Sequence, residues 1–160
     1  MTQSDKQALF ILGKARDDAF MLAVLIRNKK TPPWGIGFHA QQAVEKAIKA
    51  VLTARDISYP YKHDLNLLVN ILKTNGISVP GVEQEIVKLT PFGTALRYDE
   101  PEGDAIALDG NRTCRTVTRV IAWAEKLIPP LKPTPPADGQ IRETAAKYRI
   151  KRKKSTRHPR

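Results

Sequence analysis

The side chains with the widest chemical scope in this sequence fall in three short stretches. His63 follows Lys62 and precedes Asp64; an imidazole exchanges protons near neutral pH, and a neighbouring cation favours a phosphate or another anion. Arg97 and Tyr98 close a later apolar stretch. A guanidinium offers a planar two-donor fork, so an Arg97 turned toward Lys62 and His63 would complete a cationic pocket for phosphate. Gln41, Gln42, Glu45 and Lys46 share one side of a helix, where they either frame such a pocket or simply meet water. Plainer roles compete at each position. Asp64 can cap a helix while His63 bonds backbone or solvent, and Arg97 can sit at a helix C-terminus or pair with Asp99, Glu100 or Glu102. His39 has no evident partner in the sequence.

Two further clusters are basic. Arg112, Arg115 and Arg119 recur at helical spacing, a solvated stripe or a track for a nucleic-acid backbone. Lys151, Arg152, Lys153 and Lys154 lie in a dense C-terminal run suited to electrostatic attachment to nucleic acid, without sequence readout of its own. The 160-residue chain has a formal net charge of +11, unevenly shared. Residues 1–131 hold 17 Lys and Arg against 14 Asp and Glu, while residues 132–160 hold 10 against 2. The high charge is therefore a property of the appendage and says little about any site in the body.

Several chemistries are excluded. The sequence has no glycine-rich phosphate loop, no metal-ligand cluster and no Gly-x-Ser-x-Gly elbow, so neither a cofactor nor a metal is expected. Cys114, the single cysteine, cannot form an internal disulfide, which fits a reducing cytosol. The longest apolar run, Ala19 to Ile26, is far below the ~20 residues of a membrane span, and no leader is recognisable. A cytoplasmic protein without a membrane partner is the expectation.

The elements that must position these groups all read as helices. Ser4-Asp5-Lys6-Gln7 has the form of a capping box and predicts the start of a first helix, whose face is Leu9, Leu12, Ala15, Ala19, Leu22, Ala23 and Ile26. After Trp34-Gly35-Ile36-Gly37 a second helix turns Phe38, Ala40, Val44, Ala47, Ile48, Val51 and Leu52 inward and its glutamines and charges outward, with Glu45 and Lys49 spaced as an ion pair. A third runs from about His63 or Asp64 to Asn75-Gly76. A fourth follows Pro80-Gly81 and is kinked or split by Pro91 before Phe92, Ala95 and Leu96. A fifth spans about Asn111 to Ile128, and Pro129-Pro130 stops it. No stretch alternates as a strand does, so an all-α, up-and-down bundle of four or five helices over residues 1–130 is predicted, followed by a proline-rich linker and a disordered basic tail over 131–160.

Phe38-His39-Ala40-Gln41-Gln42-Ala43-Val44-Glu45-Lys46-Ala47, then Lys62-His63-Asp64-Leu65, then Leu89-Thr90-Pro91-Phe92 with Leu96-Arg97-Tyr98, together resemble the HEPN domain family over about residues 5–128. The resemblance implies a helical bundle that forms a symmetric homodimer. It also implies either a nucleotide- or RNA-binding subunit working with a small nucleotidyltransferase, in a toxin-antitoxin-like module, or a metal-independent ribonuclease. The ribonuclease branch uses an arginine followed after four to six residues by a histidine on the last part of the bundle. Here Arg97 is followed by Tyr98-Asp99 and no histidine, which leaves enzymatic activity open and favours the binding subunit. Ligand contacts are expected of Lys62, His63, Asp64, Arg97, Tyr98, Gln42, Glu45 and Lys46, the helix-two side lying close to the His-Asp-Leu segment in HEPN-like proteins; in a nuclease, His63 and Arg97 would be the catalytic pair.

Overall fold

A computed structural model of the chain describes residues 2–93 and 108–128. Backbone contacts divide the chain into Met1–Pro130 and Leu131–Arg160. Arg97, Tyr98 and the basic tail with Lys151, Arg152, Lys153 and Lys154 lie outside the described residues.

The fold is all-helical: α1 Gln3–Leu25, α2 Pro33–Ala54, α3 Leu65–Thr74, the short α4 Glu83–Val87, a 3-10 turn over Thr90–Gly93, and α5 Gly110–Leu127. The connection between α1 and α2 is short. A parallel α2 would need a return of about 33 Å along a 22-residue helix, beyond the roughly 25 Å reach of that connection, so the pair is antiparallel.

Local chemistry accounts for the helix ends and corrects two expectations. The cap of α1 is Thr2, not Ser4: the Thr2 hydroxyl accepts from the Asp5 amide at 3.1 Å, and the Asp5 carboxylate accepts from the Thr2 amide at 2.8 Å. An acid at the third helical position completes the reciprocal box better than Gln7, and the Ser4 hydroxyl bonds Asp56 instead. Helix α2 begins at Pro33, ahead of both glycines, because proline at the first helical position forfeits only an amide that would be unpaired anyway. Asp64 caps α3 by accepting from Leu67 N at 3.1 Å, and Gly76 ends it with φ 71°. Of the kink or split expected at Pro91, the split is what forms, with α4 ending at Val87 and the 3-10 turn taking over.

The centre of the bundle is α2. Its Ala40, Ala43, Val44, Ala47, Ile48, Ala50, Val51 and Leu52 are fully buried, on more than one face, because α1, α3, α5 and the 3-10 turn all pack around it. Leu12 and Leu22 of α1, Leu65, Leu68 and Leu72 of α3, and Val117 and Val120 of α5 complete the core. The 3-10 turn approaches so closely that a Cβ on Gly37 would lie 2.1 Å from the Phe92 ring. Asp109 caps α5, accepting from Arg112 N at 3.0 Å, while the Arg112 guanidinium reaches Glu85 of α4 at 2.8 Å.

Two outcomes follow for stability. Gly37→Ala forces Phe92 aside and lowers the unfolding free energy by about 1–3 kcal/mol, whereas Gly35→Ala, which meets only Thr31 at 3.9 Å, raises it by about 0.5–1 kcal/mol; urea denaturation reads the opposite signs. The second concerns pH. The Arg112 side chain holds Glu85 below its ordinary 4.5, and the Arg112 amide holds Asp109 below its ordinary 3.8. Both carboxylates therefore add stability above those ordinary values and lose it as pH falls through the lower folded values. Melting temperature should drop between pH 5 and pH 3 by less in Arg112→Gln than in the parent.

Candidate functional site

Helix α2 holds a polar network within its apolar surroundings. Gln41 is 0% and Glu45 4% exposed, so the side of α2 read from the sequence as open to water is in large part covered. Coverage comes from the 3-10 turn and from the loop before α3: a Cβ on Gly93 would sit 2.8 Å from Gln41 Nε2 and 3.2 Å from His63 Cβ. A buried carboxylate requires partners. Glu45 has three, accepting from Lys49 Nζ at 2.7 Å, from Gln41 Nε2 at 2.6 Å, and from His63 Nδ1, which lies 3.1 Å from each oxygen. The Glu45–Lys49 pair expected from the spacing is thus formed, in a setting where it counts for more than a surface pair.

The same side chains fix the loop by its backbone. Lys49 Nζ donates to the Lys62 carbonyl and Gln41 Nε2 to the His63 carbonyl, each at 3.3 Å. The Lys49 ammonium also lies 5.6 Å from the centre of the Tyr59 ring. Tyr61, Lys62 and His63 are consequently held at the surface, Tyr61 with its whole ring exposed. His63 does not bond backbone or solvent through Nδ1, as the plainer reading had it; the carboxylate can only accept, so Nδ1 carries the proton and Nε2 is left without a partner among the described residues.

Toward α1 the network continues. Lys46 Nζ donates to Gln42 Oε1 at 3.0 Å, Gln42 Nε2 to Gln41 Oε1 at 2.8 Å, and Gln41 to Glu45. Lys46 also meets Asp18 of α1 at 2.5 Å, and Asp18 accepts from His39 Nδ1 at 3.0 Å, which gives His39 the partner that the sequence did not disclose. Each of the four residues expected on this side therefore has a place: Gln41, Gln42 and Lys46 are links in the chain, and Glu45 is its buried terminus. The Glu45 side chain is 6% exposed and is engaged by its three partners. Asp64 is occupied by the α3 cap.

Of the expected contacts, Lys62 and His63 stand together at the surface with Glu45 behind them. Arg97 and Tyr98 follow Gly93 in sequence, outside the described residues. Sequence reasoning missed Tyr61, for which an aromatic ring directly before Lys62-His63 was a readable signal. Gln41 and Lys49 were named, but their hold on the Lys62 and His63 carbonyls needed the burial of α2. Among the described residues no three His, Cys, Asp or Glu side chains group as metal ligands. No helix there is long and apolar enough to cross a membrane.

A bundle whose central helix holds an imidazole by a buried carboxylate, with the glutamine-rich segment, the His-Asp-Leu loop and the Leu-Thr-Pro-Phe turn converging on it, defines a class of helical domain. The chain belongs to the HEPN domain family, whose model, described as HEPN domain, matches residues 10–132. That membership brings a general nucleotide- or RNA-related role, and HEPN domains often form dimers. No curated protein and no solved structure matches the chain.

The network separates stability from surface chemistry. Glu45→Ala strands Lys49, whose side chain is 14% exposed, and should cost about 3 kcal/mol in denaturant unfolding. His63→Ala, at a position far more open to solvent, should cost less than about 1 kcal/mol. Equal losses in the two variants would contradict a carboxylate held mainly by Lys49 and Gln41.

Proposed function

We propose that this HEPN domain is a nucleotide- or RNA-binding subunit, a homodimer that works with a small nucleotidyltransferase in a toxin-antitoxin-like module. The observation that supports the reading best is the surface formed by Tyr61, Lys62 and His63, held in place from beneath by Glu45, Lys49 and Gln41. A fully exposed tyrosine is a platform for a base, and stacking of this kind is worth ~1–3 kcal/mol. Lys62 supplies donors for the phosphate attached to it, His63 adds one when Nε2 is protonated as well, and Arg97 would add a two-donor fork. Lys151, Arg152, Lys153 and Lys154 would raise affinity for RNA without sequence preference.

A second reading, a metal-independent ribonuclease, is favoured by one specific feature. Glu45 orients His63 through Nδ1 and leaves Nε2 to accept a proton, the arrangement a general base requires. Arg97 would then neutralise the phosphate. The absence of a histidine after Arg97 at the spacing used by HEPN ribonucleases places this reading second.

Fluorescence anisotropy with labelled mixed-sequence RNA, and calorimetry with nucleotides, test the first reading. Tyr61→Ala and His63→Ala should each weaken binding about tenfold or more while the fold is retained, and replacing Lys151, Arg152, Lys153 and Lys154 by glutamine should flatten the salt dependence. Absence of binding by the parent protein, or binding indifferent to both loop variants, would remove the site. The same RNA incubated without metal should stay intact; cleavage lost in His63→Ala and Arg97→Ala would put the nuclease first.

A further inference from the structure

Helix α1 is apolar on two sides. Ala8, Leu12, Ala15 and Leu22 face the core, yet Phe10 is 62%, Phe20 68%, Val24 46% and Met21 42% exposed. The outer residues are not scattered. Phe10, Gly13, Asp17, Phe20 and Val24 follow one another at alternating three- and four-residue steps, the seam on which one helix packs along another. A Cβ on Gly13 would meet nothing within 4 Å, so the middle of the seam is open. The two phenylalanines alone offer on the order of 250 Å² of apolar surface, and with Met21 and Val24 the patch reaches the upper range found on monomers.

We infer that this face of α1 is a self-complementary docking surface, occupied by α1 of a second copy running antiparallel about an axis near Ala15. The inference names the surface of the homodimer proposed above, and its ground is the order of residues along the seam. In that register Phe10 lies against the partner's Phe20 and Phe20 against the partner's Phe10. Gly13 meets the partner's Asp17, its missing side chain allowing the backbones to approach. Lys14, 56% exposed and ion-paired with Asp17 of its own helix, lies one step from the partner's Asp17, and the partner's Arg16, which the same register sets across from Lys14, is already paired with Glu125. Val24 rests on the aliphatic stem of the partner's Lys6. A parallel partner would instead stack Asp17 on Asp17 and place Gly13 opposite Gly13. About such a twofold axis every contact is made twice, so the aromatic layer and the Gly13–Asp17 layer each occur on both sides of Ala15. With Lys6, Lys14 and Asp17 included, the buried area is on the order of 1,000 Å², the lower bound for a specific interface.

The test is sedimentation of the full chain over a concentration series, with circular dichroism to verify helix content. The parent should be a dimer, and Phe20→Asp should raise the dimer dissociation constant by at least about 100-fold, since the ring is used twice, with unchanged helicity. Lys14→Glu and Asp17→Lys should each weaken the dimer, and the double exchange should restore it, an outcome that a merely unfavourable surface charge would not produce. A monomeric parent would overturn both the surface and the homodimer. A dimer indifferent to Phe20→Asp and to the charge exchanges would overturn the surface alone and leave the subunit count standing.

Discussion

Burial of the Glu45 carboxylate constrains most of what surrounds it. An ionised group enclosed to this extent is tolerated only with its lone pairs filled, and the filling is supplied by Lys49, Gln41 and His63, two from the same helix and one from the loop before α3. Each partner has a second duty. Lys49 and Gln41 hold the loop backbone, and His63 gains a fixed ring orientation from the bond that satisfies the carboxylate. Structural satisfaction and presentation of the surface imidazole are therefore one arrangement.

The position of α2 explains why such a group is inside at all. A helix packed by α1, α3, α5 and the 3-10 turn has little solvent-facing side left for polar residues. Its alanines let α1 lie close, and Gly37 and Gly93 let the 3-10 turn close over Gln41. The cost of enclosing polar side chains is met by linking them to one another, from Lys46 through both glutamines to Glu45.

Much of the fold was legible because it rests on local rules. The ends of α3, the Asp64 cap, the Glu45–Lys49 spacing and the extent of α5 follow from short-range signals, and the HEPN resemblance carried by residues 38–98 agrees with the family match. Apart from one helix cap, what sequence misjudged was non-local. The polar side of α2 was read as solvated because amphipathic periodicity assumes a helix at the surface, and α2 is central. The partners of His63 and His39 lie 18 and 21 residues away, beyond any local pattern. The Thr2 cap was passed over for Ser4, since a serine followed by Gln7 fits the same template and only the acid at position 5 separates them. Exposure of Phe10 and Phe20 was equally unreadable, because it depends on which side of α1 the bundle takes.

The donors that serve Glu45 from within α2 stand four residues to either side of it. Such pairs come into register as soon as the helix winds, on the ~0.1–1 μs scale of helix formation, whereas His63 arrives only when the intervening loop closes. Carboxylate, ammonium and amide are thus a socket local to one helix, and the imidazole is its one distant part. The His63 contact, partly open to solvent, is also the easiest of the three to release, and its release leaves the loop backbone held by Lys49 and Gln41 and the core of the bundle intact.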